Sequence, residues 1–284
     1  MSAKFGPAGT SDNFKAQGFK SSLDVPEYVV KSGLDCFEYQ CGRGVNIGLE
    51  KATLLGKLAK EKDITLSLHA PYYISMSSVE EEKRLNSVKY ILDSARAVNA
   101  MGGDRIVVHT GSCGKISREE ALELAKDTMK LSINALDNEG LSHIHICPET
   151  MGKVNQLGTL YEVIELCKLD ERLIPCIDFG HLNARDLGVL KTKSDFENIL
   201  TTVRDELGSY RFENFHSHFS KIEYTTGGEK RHLTFEDTVY GPDYEPLMDL
   251  IVKYNLSPVF ICESAGTQDI DAKQMKDYYE RVLL

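Results

Sequence analysis

Eight short apolar runs, rich in β-forming residues, alternate along this chain with longer segments of helical character. The runs are KFGPAG (4–9), CFEYQ (36–40), ITLSLHA (64–70), RIVVHTG (105–111), HIHICPE (143–149), IPCIDFG (174–180), NFHSHFS (214–220) and PVFICES (258–264). Strands separated by helices pair in parallel, and eight repeats of this unit close into a (β/α)8 barrel. We therefore predict an α/β protein with a single TIM-barrel domain over residues 1–284.

The segments between the runs show the spacing of amphipathic helices. In residues 79–101, Leu85, Val88, Leu92 and Ala95 recur at intervals that place them on one helix face. Further helices are predicted near residues 24–32, 48–61, 118–138, 159–168, 194–206, 243–254 and 270–282. Residues 221–242 show no clear pattern, so we predict a long loop after the seventh strand, and such loops are usually functional or mobile.

Composition limits the cellular setting and the partners. Hydrophobic residues make up 42% of the chain, yet no stretch approaches the roughly 20 apolar residues that cross a membrane. The first residues lack a signal-peptide pattern, and the seven cysteines have no regular spacing, which favours a reducing compartment. We expect a cytoplasmic monomer without a membrane partner. The formal charge of −10 argues against a generally basic nucleic-acid surface but leaves a local basic rim open.

Histidines and carboxylates follow strand-like residues, or stand in the long loop, in seven segments of the chain. The candidates are His69, His109, Glu149, Asp178, His181, His218, Glu229, His232 and Glu263. Because the C-terminal ends of barrel strands share one rim, we predict that these side chains converge there as a metal site. Imidazole nitrogen combined with carboxylate oxygen suits zinc, manganese or iron better than magnesium or calcium.

This set is too large for one ion with three or four protein ligands. Two or three ions can use it if a carboxylate bridges them, and closely spaced ions promote hydrolysis of phosphate esters. Each residue alone has a simpler interpretation, since a histidine at a strand end is often a turn residue and Glu149 or Glu263 could cap a helix. The joint pattern favours the metal site. His216 lies on the same strand face as His218 but further from the rim, so we interpret it as packing behind the ligands.

The segments SLHAPYYI, VVHTGS, PETMG, CIDFGH, HSHFSK, EKRHL and ICES, in this order, resemble endonuclease IV, the zinc-dependent apurinic/apyrimidinic endonuclease family. The resemblance spans nearly the whole chain. It implies hydrolysis of the phosphodiester bond 5′ to abasic sites in DNA, as in base excision repair, by a hydroxide activated by several metal ions. It also implies two or three Zn²⁺ ions, with Mn²⁺ acceptable at one site.

The resemblance further implies how the ligands divide. His69 and His109 would hold the first ion, and the catalytic residue Glu149 would bridge it to the second. The second ion would be completed by Asp178, His218 and Glu263, and the third would be held by His181, His232 and an acid from their loop. The family motif at the third ion is Asp-x-His, and an ungapped match places Lys230 at the acid position, so Glu229 fits only after a one-residue shift.

Two further residues are implied to contact the DNA that contains the abasic site. Tyr72 matches a family position that contacts distorted DNA, where an aromatic ring can fill the gap left by a displaced base. Arg43 is the obvious DNA-reaching side chain of the short loop QCGRGVNIG. The family pattern also has an Asp where this chain has Lys221, which is a second departure.

Two alternatives remain open on the sequence. A metal-dependent sugar isomerase or epimerase of the xylose-isomerase-like barrel type needs only Glu149, Asp178, His218 and Glu263 around one ion. The other alternative is a catalytically weak barrel that binds damaged nucleic acid or a partner, because of Lys230 and the short loop around Arg43. The number of metal ions per chain separates the first alternative from the nuclease.

Overall fold

The computed structural model describes residues 2–284, and its strands follow the predicted alternation, most of them slightly shorter than the apolar runs. The strands are β1 Lys4–Pro7, β2 Cys36–Gln40, β3 Thr65–His69, β4 Arg105–Val108, β5 His145–Pro148, β6 Cys176–Asp178, β7 His216–Phe219, β8 Ile222–Thr225, β9 Gly228–His232 and β10 Val259–Cys262.

The parallel strands close into a barrel. β1, β10, β7 and β6 pair in that order, and β2, β3, β4 and β5 form a second parallel group. Two single parallel bridges join the groups, one between Ala8 and Glu38 and one between Glu149 and Cys176. The predicted (β/α)8 barrel is therefore confirmed, and the C-terminal ends of its strands share one rim.

Helices surround the barrel. They are α1 Asp12–Ala16, α2 Val25–Lys31, α3 Leu49–Glu61, α4 Glu81–Ala100, α5 Arg118–Asn138, α6 Leu160–Cys167, α7 Phe179–Arg185, α8 Lys193–Leu207, α9 Ser209–Glu213, α10 Glu245–Lys253 and α11 Gln268–Leu283. Local sequence fixes several starts: Thr159 and Glu162 form a capping box at α6, for example. Within residues 2–284, no helix combines the length and apolar character needed to cross a membrane.

The two faces of each barrel strand have different surroundings. On β10, Phe260 and Cys262 belong to the large core between barrel and helices, whereas Val259 and Ile261 pack with Ala8 and Cys36 of neighbouring strands inside the barrel. The interior also holds buried polar residues, among them Glu38, Ser67, His69, His216 and His218. In the pairing of β10 with β7, Val259 lies opposite His216 and Ile261 lies opposite His218, so apolar and polar side chains share the same levels of the interior.

The region after the seventh barrel strand differs from its prediction as a loop without regular structure. Part of it forms an antiparallel hairpin of β8 and β9. Gly228, with φ at 88°, stands at the turn, and it also pairs with Lys153. Tyr224 pairs with Glu229, and the preceding residue, Glu223, pairs with Arg231. Lys230 therefore has no partner residue on β8 and forms a bulge in β9. This hairpin brings the predicted ligands Glu229 and His232 to the rim.

Candidate metal centre

All nine predicted ligands lie at the C-terminal end of the barrel. His69 ends β3, His109 follows β4, Glu149 follows β5, Asp178 ends β6, His181 lies in α7, His218 lies in β7, Glu229 and His232 lie in β9, and Glu263 follows β10. Each barrel strand from β3 to β7, and β10, therefore contributes at or near its end. This placement follows from parallel pairing, because side chains far apart in sequence meet wherever their strands end together.

Glu149 is at the centre of the group, and its side chain is only 1% exposed. Its Oε2 lies 3.4 Å from Nε2 of His69 and 3.3 Å from Nε2 of His109. Its Oε1 lies 3.1 Å from Nδ1 of His218 and 3.3 Å from Nδ1 of His181. Each carboxylate oxygen thus faces its own pair of ring nitrogens, which is the arrangement of a carboxylate placed between two cations.

A second cluster lies deeper in the rim, where Glu149, Asp178, His218 and Glu263 place one donor atom each within 4.8 Å of the others. Asp178 caps α7, because its Oδ1 accepts a hydrogen bond of 2.7 Å from the backbone N–H of His181. Its buried Oδ2 makes no hydrogen bond within the described residues, although Nδ1 of His181 lies 3.1 Å away. A buried carboxylate oxygen without a hydrogen bond is unfavourable, so this atom fits a cation ligand.

The third cluster lies at the edge, where His181, His232 and Glu263 place donor atoms within 4.8 Å of one another. Glu229 lies beside both histidines, with Oε2 at 3.5 Å from Nε2 of His181 and Oε1 at 3.9 Å from Nε2 of His232. The Lys230 ammonium points elsewhere and pairs with Glu223. Lys230 is the extra residue of a bulge, so Glu229 and His232 occupy strand positions that are two apart although they are three residues apart in sequence. Positions two apart share one face of a strand, and both side chains therefore point to the same side of β9.

Hydrogen bonds to the far side of the rings orient three of these histidines. Nδ1 of His181 lies 3.0 Å from the carbonyl oxygen of Thr150, which leaves Nε2 to face Glu229. Nδ1 of His69 lies 2.8 Å from the carbonyl oxygen of Ala70, which leaves Nε2 to face Glu149. Nδ1 of His232 lies 2.8 Å from Oγ of Ser220, which leaves Nε2 to face Glu229. Such partners fix ring orientation and tautomer in metal sites.

Opposite charges compensate one another in this centre. Burial alone would raise the pKa of Glu149, but the histidines, His218 first, hold that pKa well below its usual range. Burial disfavours the charge on His69 too, yet the contact with Glu149 raises its pKa to about 9. The pKa of Asp178 is raised by burial and by neighbouring carboxylates, although His181 opposes the shift. Positive charge is therefore favoured beside these carboxylates, and divalent cations would supply it.

The residues fit transition-metal ions in chemistry and in spacing. Four ligands at 2.0–2.1 Å from a tetrahedral zinc ion lie about 3.3 Å from one another. The contacts around Glu149 span 3.1 to 3.4 Å, close to that edge length. Imidazoles and carboxylates are the ligands that zinc accepts at such distances. The rim therefore holds residue clusters able to bind metal ions.

Sequence reasoning overlooked Glu38, whose carboxylate is fully buried inside the barrel. Its Oε2 accepts a hydrogen bond of 3.0 Å from Oγ of Ser67 and lies 2.9 Å from Nε2 of His216. Its Oε1 lies 2.9 Å from Nε2 of His218 and accepts a hydrogen bond of 3.1 Å from Nε2 of Gln40. His216 thus lies behind the ligands, as predicted from the sequence. The available signal was the acid itself, which interrupts the apolar run CFEYQ.

The centre opens into a cavity of about 280 Å³. Besides the ligands, Tyr72, Lys153 and Gln156 contribute to its wall. Tyr72 is 48% exposed, and its hydroxyl accepts a hydrogen bond of 2.9 Å from Nε of Arg43. The ring of Tyr73, also half exposed, lies 4.7 Å from that of Tyr72. The two residues predicted to contact DNA thus lie together at the mouth of the cavity.

Known proteins match this chain over most of its length. The sequence model of the xylose isomerase-like TIM barrel family matches residues 26–281. An uncharacterized protein of Methanocaldococcus jannaschii is 33% identical over 274 residues, which cover 96% of this chain and 94% of that protein. A probable endonuclease 4 of Acholeplasma laidlawii is 29% identical over 174 residues, which cover 58% of this chain and 57% of that protein. These relatives confirm the resemblance found in the sequence.

Solved structures with the same fold include enzymes of two kinds. A D-tagatose 3-epimerase-like protein superposes with a TM-score of 0.71 at 18% identity, covering 99% of this chain and 98% of that one. Endonuclease IV from Thermus thermophilus superposes with a TM-score of 0.68 at 16% identity, covering 98% of this chain and 99% of that one. Identities this low establish the shared barrel alone and assign neither activity to this chain.

Proposed function

Because the chain belongs to the xylose isomerase-like TIM barrel family, whose fold serves both nucleases and epimerases, we propose its function from the geometry of the rim. We propose a metal-dependent endonuclease that hydrolyses the phosphodiester bond 5′ to abasic sites in DNA. Zinc is the proposed ion, at two or three sites, and the ligand set also accepts manganese at one of them.

The surroundings of Glu149 carry this proposal. Removal of a proton from a sugar carbon requires a carboxylate oxygen that can reach the substrate. Both oxygens of Glu149 instead face imidazoles, at distances of 3.1 to 3.4 Å. A carboxylate enclosed in this way is suited to hold two cations at a fixed separation. That role belongs to hydrolysis assisted by several metal ions.

The proposal gives the other residues separate tasks. His69 and His109 would hold one ion with Glu149, and Asp178, His218 and Glu263 would complete a second site. When bound, the ions supply an activated hydroxide and stabilise the departing 3′ oxygen. At the mouth of the cavity, the half-exposed ring of Tyr72 is free to stack against a disturbed base step, and the Arg43 guanidinium beside it carries the charge to attract a phosphate.

The direct test is incision of a duplex that contains a single tetrahydrofuran site. The protein, loaded with zinc or manganese, should cut 5′ to the lesion, and a chelator should abolish the cut. Glu149→Gln should be inactive, whereas the control His143→Ala should cut normally, because His143 is exposed and hydrogen-bonds to Asn99 away from the rim. No incision at any zinc or manganese loading of metal-binding protein would exclude this function.

One observation favours a second candidate, a sugar epimerase. Glu149, Asp178, His218 and Glu263 alone form a four-residue set for a single ion, and this barrel shape recurs in a D-tagatose 3-epimerase-like protein. Metal content separates the candidates: about one ion per chain together with turnover of ketoses would support the epimerase. Two or three ions per chain would support the nuclease.

A further inference from the structure

We infer that Glu38 is a positioning residue of the metal centre: from inside the barrel it holds the imidazole of His218 so that Nδ1 faces the ligands. This inference rests on the metal sites of the proposed function and deepens them. It does not depend on the substrate, because His218 is a ligand in both the nuclease and the epimerase arrangement.

The two ring nitrogens of His218 face opposite directions. Nδ1 lies 3.1 Å from Oε1 of Glu149 and 3.5 Å from Oε1 of Glu263, on the side of the ligands. Nε2 lies 2.9 Å from Oε1 of Glu38, on the side of the barrel interior. A histidine that binds metal through one nitrogen commonly donates the other N–H to a carboxylate, which fixes the tautomer and the ring orientation. His218 and Glu38 form such a pair as an ion-pair contact at 2.9 Å, although the N–H is not aligned on the carboxylate as a hydrogen bond.

Glu38 itself is held firmly, which a positioning residue requires. It lies on β2, and its carboxylate reaches across the barrel interior to two histidines of β7. Ser67 on the adjacent strand donates to Oε2, and Gln40 donates to Oε1. A fully buried carboxylate must be compensated by such donors, and together they leave the side chain little freedom to move.

The support for His218 also differs from that of other ligands. His69 uses a backbone carbonyl and His232 uses the Ser220 hydroxyl for the second nitrogen, whereas His218 has a charged partner. A carboxylate behind the ring raises the basicity of the coordinating nitrogen as well as orienting it. Loss of partners of this kind typically lowers metal affinity or activity by about 10- to 100-fold.

The test is Glu38→Gln, which keeps the shape of the side chain and removes its charge. Metal affinity is measured by competition with a chromophoric chelator, and the ligand field is measured by the visible absorption of the cobalt-loaded protein. We expect affinity at the His218 site to fall by about 10- to 100-fold and the cobalt spectrum to change. The matched control is Glu162→Gln, a buried carboxylate that pairs with Arg118 and hydrogen-bonds to none of the nine ligands, which should lower the melting temperature and leave metal affinity unchanged.

A second pair of variants asks whether Glu38 acts through His218. In a His218→Ala background, Glu38→Gln should cause little further loss of affinity, because the contact is already absent. Should Glu38→Gln fail to fold, Ser67→Ala removes one donor to the carboxylate and should weaken metal binding in the same direction by a smaller factor. Unaltered affinity and cobalt spectrum in a folded variant would overturn this inference alone. A wild-type chain that binds no metal would overturn the proposed function with it.

Discussion

Gly152 is a position where one added methyl group would disturb the third metal cluster selectively. A Cβ at this residue would lie 2.6 Å from Cβ of Glu229 and 2.8 Å from Cδ2 of His181. Carbon atoms in contact prefer about 3.5 to 4.0 Å, so Glu229 and His181 would have to move away by roughly 1 Å. The φ angle of Gly152 is outside the left-handed region, so alanine adds no backbone strain there.

A displacement of this size exceeds what a metal site tolerates. Ligand distances in metal sites hold to within about 0.2 Å, so a shift of roughly 1 Å should release the ion shared by Glu229 and His181. Overpacking of this kind costs about 1–3 kcal/mol of folding free energy, which lowers stability without unfolding a typical domain. We expect Gly152→Ala to bind one ion fewer per chain and to incise abasic DNA about 100-fold more slowly.

Metal content by mass spectrometry after gel filtration, measured together with incision kinetics, tests this expectation. Gly48→Ala is the matched control, because Gly48 has φ at −69° and an added Cβ would meet no atom within 4 Å. The control should keep the metal content and the incision rate of the wild type. If Gly152→Ala keeps both as well while remaining folded, then Glu229 and His181 do not share an ion, and the third site is refuted.

Three further outcomes are expected. Glu149→Gln should reduce incision more than His232→Ala, because a bridging ligand serves two ions, and equal losses with unchanged metal content in both would contradict the bridge. Deletion of Lys230 removes the extra residue of the β9 bulge and should leave metal content unchanged, whereas loss of an ion would show that the bulge itself is needed. Burial alone would raise the pKa of Glu162, but Arg118 and nearby backbone N–H groups outweigh burial and lower that pKa. The stabilising effect of Glu162 is therefore present above its ordinary pKa of 4.5 and is lost as pH falls below it. The difference in unfolding free energy between wild type and Glu162→Gln should shrink below pH 4.5, and a constant difference in denaturant titrations would contradict this.

The barrel could be predicted from the sequence because its strands are short runs rich in β-forming residues and the segments between them have helical periodicity. The hairpin of β8 and β9 could not, because its sequences IEYT and GEKRH are short and polar and lie at the rim, where no core imposes a periodic pattern. The bulge at Lys230 depends on how β9 pairs with β8, so a comparison with the Asp-x-His motif at fixed spacing does not detect it. The extra residue in the bulge explains why Glu229 matches the acid of that motif only after a one-residue shift.

The supporting residues of the site were harder to predict than its ligands. The ligands stand at strand ends, a position that parallel pairing makes meaningful before any contact is known. Glu38 stands within a strand, and its partner His216 is 178 residues away, so only the closed barrel shows why a carboxylate is buried there. The inward placement of His216 behind His218 was predictable, since alternate residues of a strand share a face.

The histidines around Glu149 carry more weight in assigning function than the overall shape of the chain. The set of Glu149, Asp178, His218 and Glu263 suits one ion, and a barrel with that set alone would leave an oxygen of Glu149 open toward the cavity. In this chain His69 and His109 occupy the space beside Oε2, and His181 shares Oε1 with His218. His69 and His181 are buried, and buried imidazoles are costly unless their polar atoms have partners, so these two histidines would be unfavourable in a site for a single ion. Removal of His69 or His109 would therefore be the first change needed for Glu149 to reach a sugar carbon and transfer a proton.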